Sequence, residues 1–162
     1  MIDLQRVLVE LDRASVEFIV VGGVAATLHG SARLTQDLDI VYARTPENIT
    51  RLAATLAPWK PYLRGAPAGL PFRWDAQTVR QGLNFTLTTT RGDLDLLGEI
   101  VGGGGYDALL PHAEVARVFG CDVRCLGLRK LIEVKRAAGR PRDLEVIAEL
   151  EALAEEADGR TG

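Results

Sequence analysis

The chain has 162 residues, a formal charge of −3 and 47% apolar residues. That length suits a single domain with a real core, and the mildly acidic balance argues against a surface that is one broad nucleic-acid footprint while leaving room for a local basic patch. No apolar run approaches the ~20 residues of a membrane span, Met1-Ile2-Asp3-Leu4 has no basic segment ahead of an apolar one, and Cys121 and Cys125 are too few for a disulfide scaffold and poorly spaced for zinc, so a cytoplasmic protein is the expectation.

Leu4, Val7, Leu8 and Leu11 fall at helical spacing and predict a helix over 3–14, with Asp3 as its N-cap. Residues 17–21 read as a strand, and Gly22 to Leu28 as a short helix entered through the Gly22-Gly23 turn and ended by His29-Gly30-Ser31. Residues 37–42 form a second strand. Thr45-Pro46 opens a helix to Leu56, and Pro58 stops it. Residues 58–75 are dense in proline and glycine and read as a long connection. Its aromatics Trp59, Tyr62, Phe72 and Trp74 either pin the loop to the core, the reading favoured here, or stack on a base, with Lys60, Arg64 and Arg73 facing phosphates.

Leu83, Phe85 and Leu87 alternate with polar residues as a half-buried strand, Thr90-Arg91-Gly92 turns, and residues 93–97 return. The glycines 102–105 lack a following Lys-Ser/Thr and read as a plain loop or a flap. Residues 106–110 suggest a short helix, and 114–118 with 121–126 a hairpin around Gly120. Leu128, Leu131 and Ile132 start a helical stripe whose next member is Lys135, an ammonium on an apolar face. Gly139 ends that helix and Pro141 starts the last, in which Leu144, Ile147, Leu150 and Ala154 are expected to pack down and the tail from Glu155 to fray.

Chemistry concentrates in residues 20–41. On a strand, Asp37 and Asp39 project to one face while Leu38 and Ile40 go to the other. Two adjacent carboxylates repel unless a proton or cation lies between them, and hard divalent ions such as Mg²⁺ favour such oxygens. A glycine turn lets backbone N–H groups approach a ligand closely.

Gly22-Gly23, Arg33, Thr35 and Asp37-Leu38-Asp39 together resemble the signature of the polymerase-beta-like nucleotidyltransferase superfamily. The resemblance is to its small prokaryotic members, among them the minimal nucleotidyltransferases of toxin–antitoxin systems and abortive-infection toxins. It covers most of residues 15–150. It implies one nucleotidyltransferase-like domain over 1–162, with an α/β core at about 15–126 and C-terminal helices at about 127–157. The sheet would be mixed and twisted, with helices mainly on one face and carboxylates on the other. It implies a third carboxylate on the strand beside the Asp-x-Asp strand, where Leu94-Asp95-Leu96 fits and Asp93 ranks second. Metal would be held by Asp37, Asp39 and Asp95, as two Mg²⁺ ions or Mn²⁺. Gly22, Gly23, Arg33, Thr35 and Lys135 would meet the nucleotide, with Lys135 in a Lys135…Gly139-Arg140-Pro141-Arg142-Asp143 segment of family form.

The reaction implied is transfer of a nucleoside monophosphate from an NTP to a hydroxyl of a tRNA, protein or small molecule, with a small helical ribonuclease as a partner if the chain belongs to a toxin–antitoxin pair. The alternative is a non-catalytic NTP-binding or antitoxin protein. His29 would meet a phosphate or bond to backbone, Arg33 would face phosphate or solvent, and Asp143 would cap its helix or pair with a basic neighbour such as Lys135. Many relatives carry Gly-Ser where this chain has Gly22-Gly23, and a large helical acceptor domain like that of antibiotic-modifying members is not expected in these residues.

Overall fold

The computed structural model describes residues 1–161. In chain order the elements are α1 (Leu4–Arg13), β1 (Phe18–Val21), α2 (Gly22–Leu28), β2 (Asp37–Tyr42), α3 (Pro46–Leu56), β3 (Tyr62–Leu63), α4 (Ala76–Gln81), β4 (Phe85–Thr89), β5 (Gly92–Leu97), β6 (Glu99–Ile100), β7 (Gly104–Gly105), α5 (Tyr106–Leu109), β8 (Ala113–Val118), β9 (Cys121–Leu126), α6 (Leu128–Ala138) and α7 (Pro141–Thr161). A mixed seven-stranded sheet runs β3-β4-β5-β2-β1-β9-β8, and β6 and β7 form a separate ribbon.

The centre of the sheet sets the site. β2 runs antiparallel to β1 and parallel to β5, with Leu38 opposite Leu94, Ile40 opposite Leu96, Asp37 opposite Asp93 and Asp39 opposite Asp95. Those four apolar side chains are fully buried. Each contributes about 1.5–3 kcal/mol by leaving water. A slip of one residue would drive the aspartates into the core, so burial of the leucine–isoleucine face fixes the register that stacks the carboxylates on the other face.

The helices follow local rules. The Asp3 and Thr45 side chains accept from the backbone N–H groups of Arg6 and Asn48, capping α1 and α3. Gly139 takes a left-handed conformation to end α6. α1 packs on β9 and α3, α3 on α4, and α2 on β1, β2, β9 and α6, which in turn packs on α7. Buried Asn48 ties the entry of β1 to the exit of β2. Its amide donates to Glu17 O (3.0 Å) and Ala43 O (2.8 Å) and its carbonyl accepts from Glu17 N (2.7 Å).

Some expectations are met and others are corrected. The 58–75 connection carries strand β3 at the sheet edge, and α4 follows it where no helix was predicted. Its aromatics serve the core: Trp59 is buried and donates to Glu10 Oε2 (2.8 Å), and Trp74 donates to Ala53 O (3.0 Å). The glycine loop contributes Gly104 and Gly105 to a ribbon with Glu99 and Ile100. In α7, Ile147 and Leu150 are buried but Leu144 is exposed, because Asp143 takes the inward place in the first turn. The expected fraying from Glu155 is absent: α7 continues to Thr161, and an Arg129–Asp158 ion pair ties its far end to α6. The cysteines are free and buried, as small strand residues of β9. Among the described residues no helix is long and apolar enough to cross a membrane.

Candidate active site

The carboxylates converge where β2 and β5 run side by side. Asp37, Asp39 and Asp95 each offer an oxygen, and these atoms lie within 4.8 Å of one another, so the three can hold a metal ion. Asp39 is partly buried among them. Burial first, then the charges of Asp95 and Asp37 and a hydrogen bond with Asp95, push its carboxyl up from 3.8 to about 7, with Lys135 opposing. Its Oδ1 is buried without a hydrogen-bond partner among the described residues. An orphaned acceptor in a crowded acidic cluster is the arrangement a divalent cation satisfies: it fills the empty lone pair and removes the like-charge repulsion.

The glycine pair is explained by close approach. Gly22 has φ +67°, and a Cβ there would lie 2.2 Å from Asp39 Oδ2. A Cβ on Gly23 would lie 2.5 Å from the Thr35 methyl. Glycine therefore admits Asp39 at one position and Thr35 at the next. The Thr35 methyl packs over Gly23.

A cavity of about 400 Å³ opens beside Asp39, lined by Gly22, Asn84, Leu97, Lys135 and Arg140 among others. Lys135 points into it from α6 and makes no ion pair among the described residues. Burial is the main influence on its ammonium and holds it below the usual range; Asp143 and Asp39 oppose, while Arg140 and Arg142 reinforce. Asp143 pairs instead with Arg140 (Nε–Oδ2 2.9 Å). Asn84 braces one wall by accepting from Gly98 N (2.8 Å).

Other residues lie elsewhere. Arg33 turns to α7, with Nη2 3.4 Å from Glu145 Oε2 and Nε 3.9 Å from Glu149 Oε1. His29 Nε2 lies 2.8 Å from Leu126 O, the backbone reading of that residue. The residue that sequence reasoning placed loosely is Arg64. Its guanidinium reaches into the acidic cluster from the end of β3 and donates to Asp95 Oδ1 (2.8 Å). Only its basic type, within a loop of uncertain path, signalled it.

The chain superposes on a lincosamide antibiotic adenylyltransferase with lincomycin bound, at a TM-score of 0.63 and 15% identity over 93% of this chain and 95% of that one. It also superposes on a Thermotoga maritima protein described as a nucleotidyltransferase, at a TM-score of 0.50 and 14% identity over 98% and 96%. No protein-family model and no curated protein sequence matches the chain. At these identities the likeness is one of architecture: the chain has the nucleotidyltransferase fold, with an acidic triad able to bind metal, one member of which, Asp39, lines the cavity.

Proposed function

We propose that this protein is a metal-dependent nucleotidyltransferase that moves a nucleoside monophosphate from an NTP to a hydroxyl and releases pyrophosphate. The observation that carries the reading is the meeting of Asp37, Asp39 and Asp95 within 4.8 Å on a nucleotidyltransferase fold. Asp37 and Asp39 would hold a divalent ion, Mg²⁺ or Mn²⁺, and Asp95 would share a second with them. Such ions supply Lewis-acid stabilisation of the charge that develops on the transferred and leaving phosphates.

The chain's own residues do the rest. Asp95 would help activate the acceptor hydroxyl, either as the base that takes its proton or by holding the ion that makes that proton more acidic. Gly22 and Gly23 leave the backbone open for the β- and γ-phosphates. Lys135, half-buried and unpaired in the cavity, offsets charge as it moves to pyrophosphate. Arg33 and Thr35 flank this unit: Arg33 contributes by anchoring the loop to α7, and Thr35 by packing on Gly23.

The acceptor is a tRNA, a protein or a small molecule, and a cytoplasmic toxin–antitoxin pair with a small helical ribonuclease is the setting that the sequence resemblance suggests. The test is incubation with α-labelled NTPs, Mg²⁺ and fractionated cell extract, with a lincosamide among the small molecules. Label entering one fraction supports the reading and names the acceptor class. Absence of label in every fraction, with all four NTPs and both Mg²⁺ and Mn²⁺, would sink it.

A further inference from the structure

Arg64 is embedded in the acidic cluster rather than lying over it. Nη2 is 2.8 Å from Asp95 Oδ1 and donates to Leu87 O at 2.7 Å. Nε lies 3.4 Å from Asp93 Oδ2, an ion-pair contact and not a hydrogen bond, and Nη1 lies 3.9 Å from Asp37 Oδ2. One planar fork thus meets two of the three candidate metal ligands, a fourth carboxylate and a backbone carbonyl. The residue's own N–H is fixed to Thr86 O at 3.0 Å. Lysine could not reproduce this set, since it offers a point charge instead of a rigid fork.

We infer that Arg64 is the resident cation of the carboxylate cluster, and that a divalent ion at Asp95 binds in competition with it. The inference rests on the reading of Asp37, Asp39 and Asp95 as metal ligands. Asp93 acquires a role in the same stroke. It lies on the same face of β5 as Asp95, opposite Asp37, and it holds the Nε side of the guanidinium. Arg64 therefore keeps the cluster compact while no ion is bound. It also sets a threshold: an ion that shares Asp95 must overcome the repulsion of a fixed positive charge and the loss of a charge-assisted hydrogen bond.

The experiment is a Mn²⁺ titration of the nucleotide-free full chain, with free Mn²⁺ read by its electron paramagnetic resonance signal. Wild type, Arg64→Gln and Arg64→Lys are compared, and melting temperatures are taken in EDTA. Arg64→Gln is expected to bind Mn²⁺ on the order of tenfold tighter than wild type, because a unit charge beside the ion is gone. In EDTA it should melt lower, with Mn²⁺ restoring the loss. Arg64→Lys, which keeps the charge and is the safer fold, should bind between the two. Equal or weaker binding by Arg64→Gln, or tighter binding by Arg64→Lys than by Arg64→Gln, overturns the competition. Mn²⁺ uptake by none of the three proteins is a different failure: it removes the metal-site reading itself, and the inference with it.

Discussion

The sharpest test of the site's electrostatics needs no substrate. Asp39→Asn keeps the shape of the side chain but cannot ionise. In the metal-free protein the Asp39 carboxyl is pushed up from 3.8 to about 7, by burial first and then by Asp95 and Asp37. A group whose folded pKa is raised binds more protons in the folded state than in the unfolded state, so between about pH 4 and pH 7 folding stability falls as pH rises. Above pH 7 the full penalty is present. At about 1.4 kcal/mol per pH unit, a rise from 3.8 to about 7 sets a ceiling on the order of 4 kcal/mol. Asparagine removes that penalty. Asp39→Asn should therefore be more stable than wild type at pH 8 by up to that ceiling, and should lie within about 1 kcal/mol of wild type near pH 4.5. For a domain of this size each kcal/mol moves the melting temperature by roughly 2–4 °C. Urea unfolding in EDTA at the two pH values, with the m-value checked for constancy, gives the difference directly. A variant less stable than wild type at pH 8, or a gain identical at both pH values, would refute the picture of a crowded, buried carboxylate.

Three further outcomes follow from named contacts. Gly22→Ala places a methyl 2.2 Å from Asp39 Oδ2 at a φ of +67°; it should cost at least the ~1–2 kcal/mol of a left-handed alanine and abolish transfer, as read by melting and by labelled-NTP assay. Asp95→Ala should lose activity by several orders of magnitude and Asp93→Ala far less, because Asp93 belongs to Arg64's setting and not to the triad; equal losses in a kinetic comparison would contradict that division. Lys135→Met should hold or slightly raise the melting temperature, since no ammonium is left half-buried, while NTP affinity or turnover drops by ~1.5–3 kcal/mol; unchanged kinetics would remove Lys135 from the site.

What could be read from the sequence was whatever strand periodicity controls. Asp37 and Asp39 share a face by the two-residue period, and Leu94-Asp95-Leu96 repeats the pattern, so the pairing of Asp39 with Asp95 followed once β2 and β5 were neighbours. Caps were equally legible at Asp3, Thr45 and Gly139. Long-range pairing was not. Arg33 and Arg64 are both loop arginines in the sequence, and the family pattern singles out Arg33 rather than Arg64. One meets the acidic face of α7 and the other the carboxylate cluster, and which goes where depends on tertiary path. The path of Arg64 is set by a two-residue strand inside a proline- and glycine-rich stretch, too short for any period to show. Leu144 misled for a related reason: the stripe continued in sequence, but the first turn of α7 buries the Arg140–Asp143 pair's carboxylate instead.

We propose that the Asp37–Asp39–Asp95 cluster transfers a nucleoside monophosphate. The most direct measurement supplies each NTP labelled at either the α- or the γ-phosphorus, with Mg²⁺ and the fractionated acceptors, to wild type and Asp37→Asn. The expected result is α-label in the acceptor, γ-label only in released pyrophosphate, and neither signal above background in the variant. Label passing from the γ position to the acceptor, or undiminished α-label transfer by Asp37→Asn, would contradict it.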